Sequence, residues 1–204
     1  MSLPPEDSLL ASGGESGPSS PDANEFSSAE RELLLRLAHQ AIVSAIEHSA
    51  ISLLPSSLHL AEPRGVFTTL YFQGNLRGCI GHVVPVASLY RAVVETARAA
   101  AFDDPRFGPL VPEELGELEV SLSILSPLRP IAAAEIELGR HGLLISLGGR
   151  RGLLLPQVPV EHRWDRVTFL EQVCLKAGLP RNAWQTGATI EGFTAEVFGD
   201  PDRR

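Results

Sequence analysis

The stretch Leu76-Arg77-Gly78-Cys79-Ile80-Gly81 places a cation, a thiol and two glycines in an otherwise apolar neighbourhood. A cysteine with a cation close by, here Arg77, is favoured in its nucleophilic thiolate form. The residue types therefore predict either a nucleophile or a structural thiol packed under a glycine-rich turn. Gly78 and Gly81 let the backbone approach another chain or a ligand closely, or take conformations that a side chain forbids, and they leave Cys79 less shielded. His82 follows close behind. On a strand, however, positions 79 and 82 point to opposite faces, so proton transfer between them needs a bend or bulge. Cys79 and His82 form a weak metal signature with no second clustered pair, and His141, His162 and Cys174 do not supply one; no metal is expected.

Further along, Asp103-Asp104-Pro105-Arg106-Phe107 is a polar loop broken by a proline, in which Asp104 and Arg106 either orient a ligand or pair with each other at the surface. Leu154-Leu155-Pro156-Gln157-Val158-Pro159 predicts a buried strand running into a rigid extended exit, where Gln157 offers both a donor and an acceptor. A site gains substance if Gln157 faces Cys79. Arg150 and Arg151, next to Gly148-Gly149, are either a phosphate grip or a solvated turn. There is no Ser/His/Asp arrangement, P-loop, GxGxxG or usefully spaced carboxylate pair, so no nucleotide-dependent or glycosidase chemistry and no cofactor is expected.

The elements that must position these residues are legible in outline. Ser27 and Glu30 have capping-box spacing, and Leu34, Leu37, Ala38, Ala41, Ala45 and Ile46 share one face, which predicts a helix to about His48. Pro55 and Pro63 mark the loop that follows. Gly65 to Phe72 is a strand by composition, Gln73-Gly74-Asn75 a hairpin turn, and the next strand carries Cys79. Leu89, Val93, Ala97 and Ala100 give a helical face of small residues. Leu118, Val120, Leu122 and Ile124 alternate with Glu119, Ser121 and Ser123, one packed face and one wet, which argues for an antiparallel sheet. Gly142 to Leu147 and Gly152 to Leu155 form a hairpin. Asp165 caps a helix from Arg166 to Ala177 that ends at Gly178 and makes Cys174 a core thiol. One last strand, near Thr189 to Phe198, is expected to put Phe193, Ala195 and Val197 on one side.

The chain has 204 residues, 44% hydrophobic and 21% charged, which suits one compact unit. Residues 1–25 hold Glu6, Asp7, Glu15, Asp22 and Glu25 among Ser, Gly and Pro, with no Lys or Arg, and read as a disordered acidic tail. Removing those five acids from the net charge of −8 leaves about −3, with no basic surplus to bind nucleic acid. No apolar run is long enough to span a membrane, and the start lacks a leader pattern. A cytosolic compartment is expected, with Cys79 and Cys174 reduced and unbridged.

Taken together, Leu76 to Gly81, Asp104-Pro105-Arg106-Phe107-Gly108-Pro109-Leu110, Leu154-Leu155-Pro156-Gln157-Val158, and Cys174-Leu175-Lys176-Ala177-Gly178-Leu179 followed by Trp184 closely resemble the AMMECR1 family. The resemblance spans about residues 30–198. It implies an α+β fold with a mixed, mainly antiparallel sheet packed by helices, the larger lobe built from both chain ends beside a smaller lobe. The domain would cover 26–199, with 200–204 a polar end. It also implies partners, a Memo-like protein and a radical S-adenosylmethionine protein, in a system whose A component looks like this chain. The family has no settled activity, so only the signature positions Arg77, Gly78, Cys79 and Gly81 carry over. Two functions are weighed. The first is an accessory or ligand-binding component with a small-molecule or peptide ligand, bound through Arg77, Gly78, Gly81, His82, Asp104, Arg106 and Gln157. The second is a transferase or hydrolase with Cys79 as nucleophile. The first is favoured because no activating base lies near Cys79 in the sequence.

Overall fold

A computed structural model describes residues 25–51 and 57–200. Helix α1 (Ser28–Ile46) starts at the capping box, in which Glu30 N–H donates to the Ser27 hydroxyl at 3.3 Å and Ser27 N–H donates to the Glu30 carboxylate at 3.0 Å. Such a cap contributes about 1 kcal/mol. Strands β1 (Val66–Phe72) and β2 (Asn75–His82) form a hairpin whose turn residues, Gln73 and Gly74, both have positive φ, the conformation that suits the right-handed twist of the strands. Helix α2 (Leu89–Phe102) and strand β3 (Leu118–Leu125) follow.

β3 lies beside β1 rather than β2, and all pairings are antiparallel. Val66, Leu70, Val120, Leu122 and Ile124 turn one sheet face to α1 and α2, where they are buried with Leu34, Leu37, Val93 and Ala97. The alanines of α2 allow this close approach. The opposite sheet face carries Thr69, Ser121 and Ser123.

The smaller lobe contains β4 (Arg129–Pro130), β5 (Gly142–Leu147), β6 (Arg150–Leu154), the short helix α3 (Gln157–Glu161), α4 (Arg166–Lys176) and β7 (Thr189–Phe193). Its sheet has the order β4-β7-β5-β6, and Leu143, Ile145, Phe169, Leu170 and Val173 form its separate core. Asp165 caps α4 by accepting from Thr168 N–H at 2.7 Å, and Gly178 ends it with φ +69°. β8 (Ala195–Gly199) then returns to β3, so the first sheet reads β2-β1-β3-β8 and the larger lobe contains both ends of the described chain.

Two expectations are corrected here. The single last strand is two strands in different sheets, broken at Thr194. Ser126 N–H donates to the Thr194 carbonyl and Thr194 N–H to the Ser126 hydroxyl, both at 2.9 Å, which ties together the two segments that cross between lobes. Phe193 is consequently buried in one lobe while Val197 is 63% exposed in the other. The expected extended exit at Pro156 is instead a helix start: Pro156 is in the α region, and its fixed φ suits the first turn of α3. The acidic tail, apart from Glu25, lies outside the described residues, as do Pro55 and the polar end after Asp200. No described helix is long and apolar enough to cross a membrane.

Candidate functional site

Between the Thr69 face of the first sheet and the smaller lobe lies a cleft of ≈ 870 Å³, a volume that suits a small organic ligand or a peptide segment. Cys79, Thr69, Ser121 and Ser123 line it from the sheet, and Gln157 and Arg140 from the other lobe. Cys79 is thus half-buried at a concave place, and Gln157 shares it.

The sheet register explains the floor. Cys79 is opposite Thr69, which is opposite Ser121, so a thiol and two hydroxyls run in a row across three strands. Cys79 N–H is engaged by the Asp104 carboxylate at 2.8 Å, and the Cys79 carbonyl accepts from Arg106 at 3.3 Å. Both backbone groups therefore point out from the sheet edge, which makes Cys79 and Thr69 a non-hydrogen-bonded pair whose side chains approach closely. Thr69 Oγ1 donates to Cys79 Sγ at 3.3 Å.

Gly78 is what brings Asp104 to this edge. A Cβ there would collide with the Ala100 carbonyl, so its absence lets the last turn of α2 settle on β2 and delivers residues 103–106 beside Cys79. Asp104 is 4% exposed, buried rather than at the surface, and it pairs with Arg106 at 2.7 Å. Arg106, Cys79 N–H and the Arg106 backbone hold its carboxyl well below the usual carboxylate range. With both oxygens occupied, it is a positioning group and not a proton acceptor.

Arg106, not Arg77, is the cation that reaches Cys79, donating to its backbone carbonyl at 3.3 Å. Asp104 stabilises the charged Arg106 guanidinium through their hydrogen bonds. Arg77 is an extra residue in β2: Gly78 faces Leu70 while Leu76 faces Tyr71. From this bulge it makes a two-pronged pair with Glu114, at 2.6 and 2.9 Å, and donates to the Gly108 carbonyl at 3.0 Å, clasping the loop that carries Asp104. Gly81 makes room for the Phe67 ring on the cleft side. His82 is exposed and, three positions from Cys79 on a regular strand, faces away from it. Of the expected site residues, the fold therefore gathers Cys79, Asp104, Arg106 and Gln157, uses Arg77 and Gly78 to place them, and leaves His82 apart. No metal-holding group of His, Cys, Asp or Glu is present among the described residues.

Thr69, Ser121 and Ser123 were not singled out by their sequence. The polar half of the β3 alternation was the available signal, but it predicts only a wet face, and the second lobe turns that face into a cleft floor.

The chain is similar to known proteins over nearly all of these elements. A protein of Methanopyrus kandleri is 44% identical over 185 residues, covering 85% of this chain and 89% of that protein. One from Aquifex aeolicus is 42% identical over 180 residues, covering 83% and 92%. The crystal structure of an uncharacterised protein from Pyrococcus horikoshii superposes with a TM-score of 0.66 at 39% identity, covering 82% of this chain and 90% of that one. The AMMECR1 family model matches residues 35–198, a span that holds the smaller lobe, most of the larger one and every residue placed above around Cys79, and the chain belongs to the AMMECR1 family.

Proposed function

We propose that the protein is an accessory, ligand-binding component that holds a small polar molecule or a peptide segment in the cleft over Cys79. It would do so in the cytosol, alongside a Memo-like protein and a radical S-adenosylmethionine protein. One observation carries the reading. Cys79 Sγ shares a concave floor with the Thr69 and Ser121 side chains, while Asp104, on the Cys79 N–H, is fully occupied, the cleft's Glu25 and Glu196 are paired with Arg64 and Arg31, and His82 faces away. Such a floor supplies donors and acceptors to hold a ligand without the base that a cysteine nucleophile ordinarily needs. The partner assignment rests on membership of the family alone.

A second reading has its own support. Thr69 donates to the sulfur and the Arg106 guanidinium holds the Cys79 carbonyl, which fixes the thiol at the cleft as a nucleophile in group transfer or hydrolysis requires. Cys79→Ser separates the two. Pull-down of the two partners and ligand binding by the Ser variant should stay within about threefold of wild type under the binding reading. Loss of a turnover that the wild-type chain shows would establish the nucleophile instead.

A further inference from the structure

A smaller cleft, ≈ 380 Å³, borders the same crossing segments and is lined by Arg64, Arg129, His141, Ser126, Thr194 and Glu25. Arg64 is only 6% exposed, just ahead of β1. Its Nη2 donates to Glu25 and, at 3.0 Å, to Glu62, but its Nη1 is buried and finds no acceptor among the described residues. A buried guanidinium nitrogen without a partner is costly, and the Arg64 side chain lines a cleft from which an acceptor can be supplied.

The other lining groups are donors as well. Glu137 N–H donates to His141 Nδ1 at 3.0 Å, so the neutral ring carries its proton on Nε2. Burial pushes the His141 pKa down and keeps the ring neutral. Arg129 is exposed and makes no ion pair among the described residues. The cleft lining holds one carboxylate, Glu25, which is seated on Arg64 together with Glu62 from outside the lining.

We propose that this smaller cleft is a second ligand site, which takes an oxyanion group, carboxylate or phosphate, on Arg64, Arg129 and His141 in competition with the Glu25 carboxylate. Guanidinium groups grip both kinds of oxyanion through paired N–H donors. The two clefts share Glu25, Ser126 and Thr194, so an occupant of the smaller one sits against the segments that join the lobes around the larger.

Calorimetric titration of the full chain at low ionic strength, with succinate and separately with inorganic phosphate over the millimolar range, tests this. Saturable binding of succinate alone assigns a carboxylate ligand, of phosphate alone a phosphate ligand, and of both a general oxyanion site. Arg129→Gln should weaken binding about tenfold, and Glu25→Gln should tighten it several-fold. Arg64→Lys should also weaken it. If that buried change prevents folding, Arg129→Gln, on an exposed side chain, decides. Binding of neither probe overturns the proposal, and so does an affinity that ignores both Arg129→Gln and Glu25→Gln. Ser123→Ala, on the floor of the larger cleft alone, should leave the titration unchanged; weakened binding there would put the probe in the larger cleft and overturn the assignment equally.

Discussion

The two faces of the first sheet are built from the same strands yet hold different kinds of residue. On one face Leu70, Val120 and Leu122 are sealed under α1 and α2; on the other Thr69, Ser121 and Cys79 floor an open cleft. Gly78 and Cys79 are adjacent, and the alternation of a strand sends them to opposite faces. Gly78 makes close packing possible, and that packing delivers Asp104 and Arg106 to Cys79. The chemistry-bearing face is thus positioned by contacts made on the other face, and substitutions on the two should fail in different ways.

The largest effect is expected at Gly78. Gly78→Ala forces its Cβ into the Ala100 carbonyl, where neither backbone can yield, and should destabilise the fold by about 3 kcal/mol or more in urea unfolding. A near-neutral result would mean that α2 does not rest on β2 as described.

Next comes Asp104→Asn, which keeps an acceptor for Cys79 N–H but removes the charge paired with Arg106. It should lower Tm at neutral pH by less than Gly78→Ala does. The sign of its pH dependence follows from the depressed folded-state pKa of Asp104. Its contribution is full above the unfolded carboxyl value of about 4 and is lost as pH falls toward the lower folded value, so wild type and variant should converge in acid. Curves that run parallel from neutral pH down into acid would show that the Asp104 charge adds nothing.

The smallest effect belongs to the open face. Ser123→Ala removes a hydroxyl from the cleft floor and should leave stability within about 0.5 kcal/mol while weakening any ligand held there. A large stability loss would mean that this face is packed after all.

Local signals show in the sequence wherever a residue's neighbours along the chain decide its role. The Ser27–Glu30 capping box, the Gln73-Gly74 turn, the alternation in β3 and the Asp165-to-Gly178 helix are of this kind. Features decided by distant segments do not show. The break at Thr194 is invisible because Phe193, Ala195 and Val197 keep an unbroken alternation; only the pairing with Ser126 sends them to different sheets. The helical start at Pro156 was likewise masked, since a proline suits an extended exit and a first helical turn equally. At the site, the sequence points to Cys79 and Arg77 because they are neighbours. The cation that reaches the Cys79 backbone, Arg106, arrives from beyond α2.

The two cysteines bring the comparison to one experiment. Cys174 is fully buried in α4, where burial pushes its thiol up and the backbone N–H groups of Trp184 and Ala183 partly offset this. Cys79 faces the cleft. Treating the folded protein with iodoacetamide and mapping the adducts by mass spectrometry should show alkylation at Cys79 alone, with Cys174 reacting only after denaturation. A native chain that leaves Cys79 unmodified, or that reacts at Cys174 just as fast, would contradict a ligand-accessible thiol on the cleft floor.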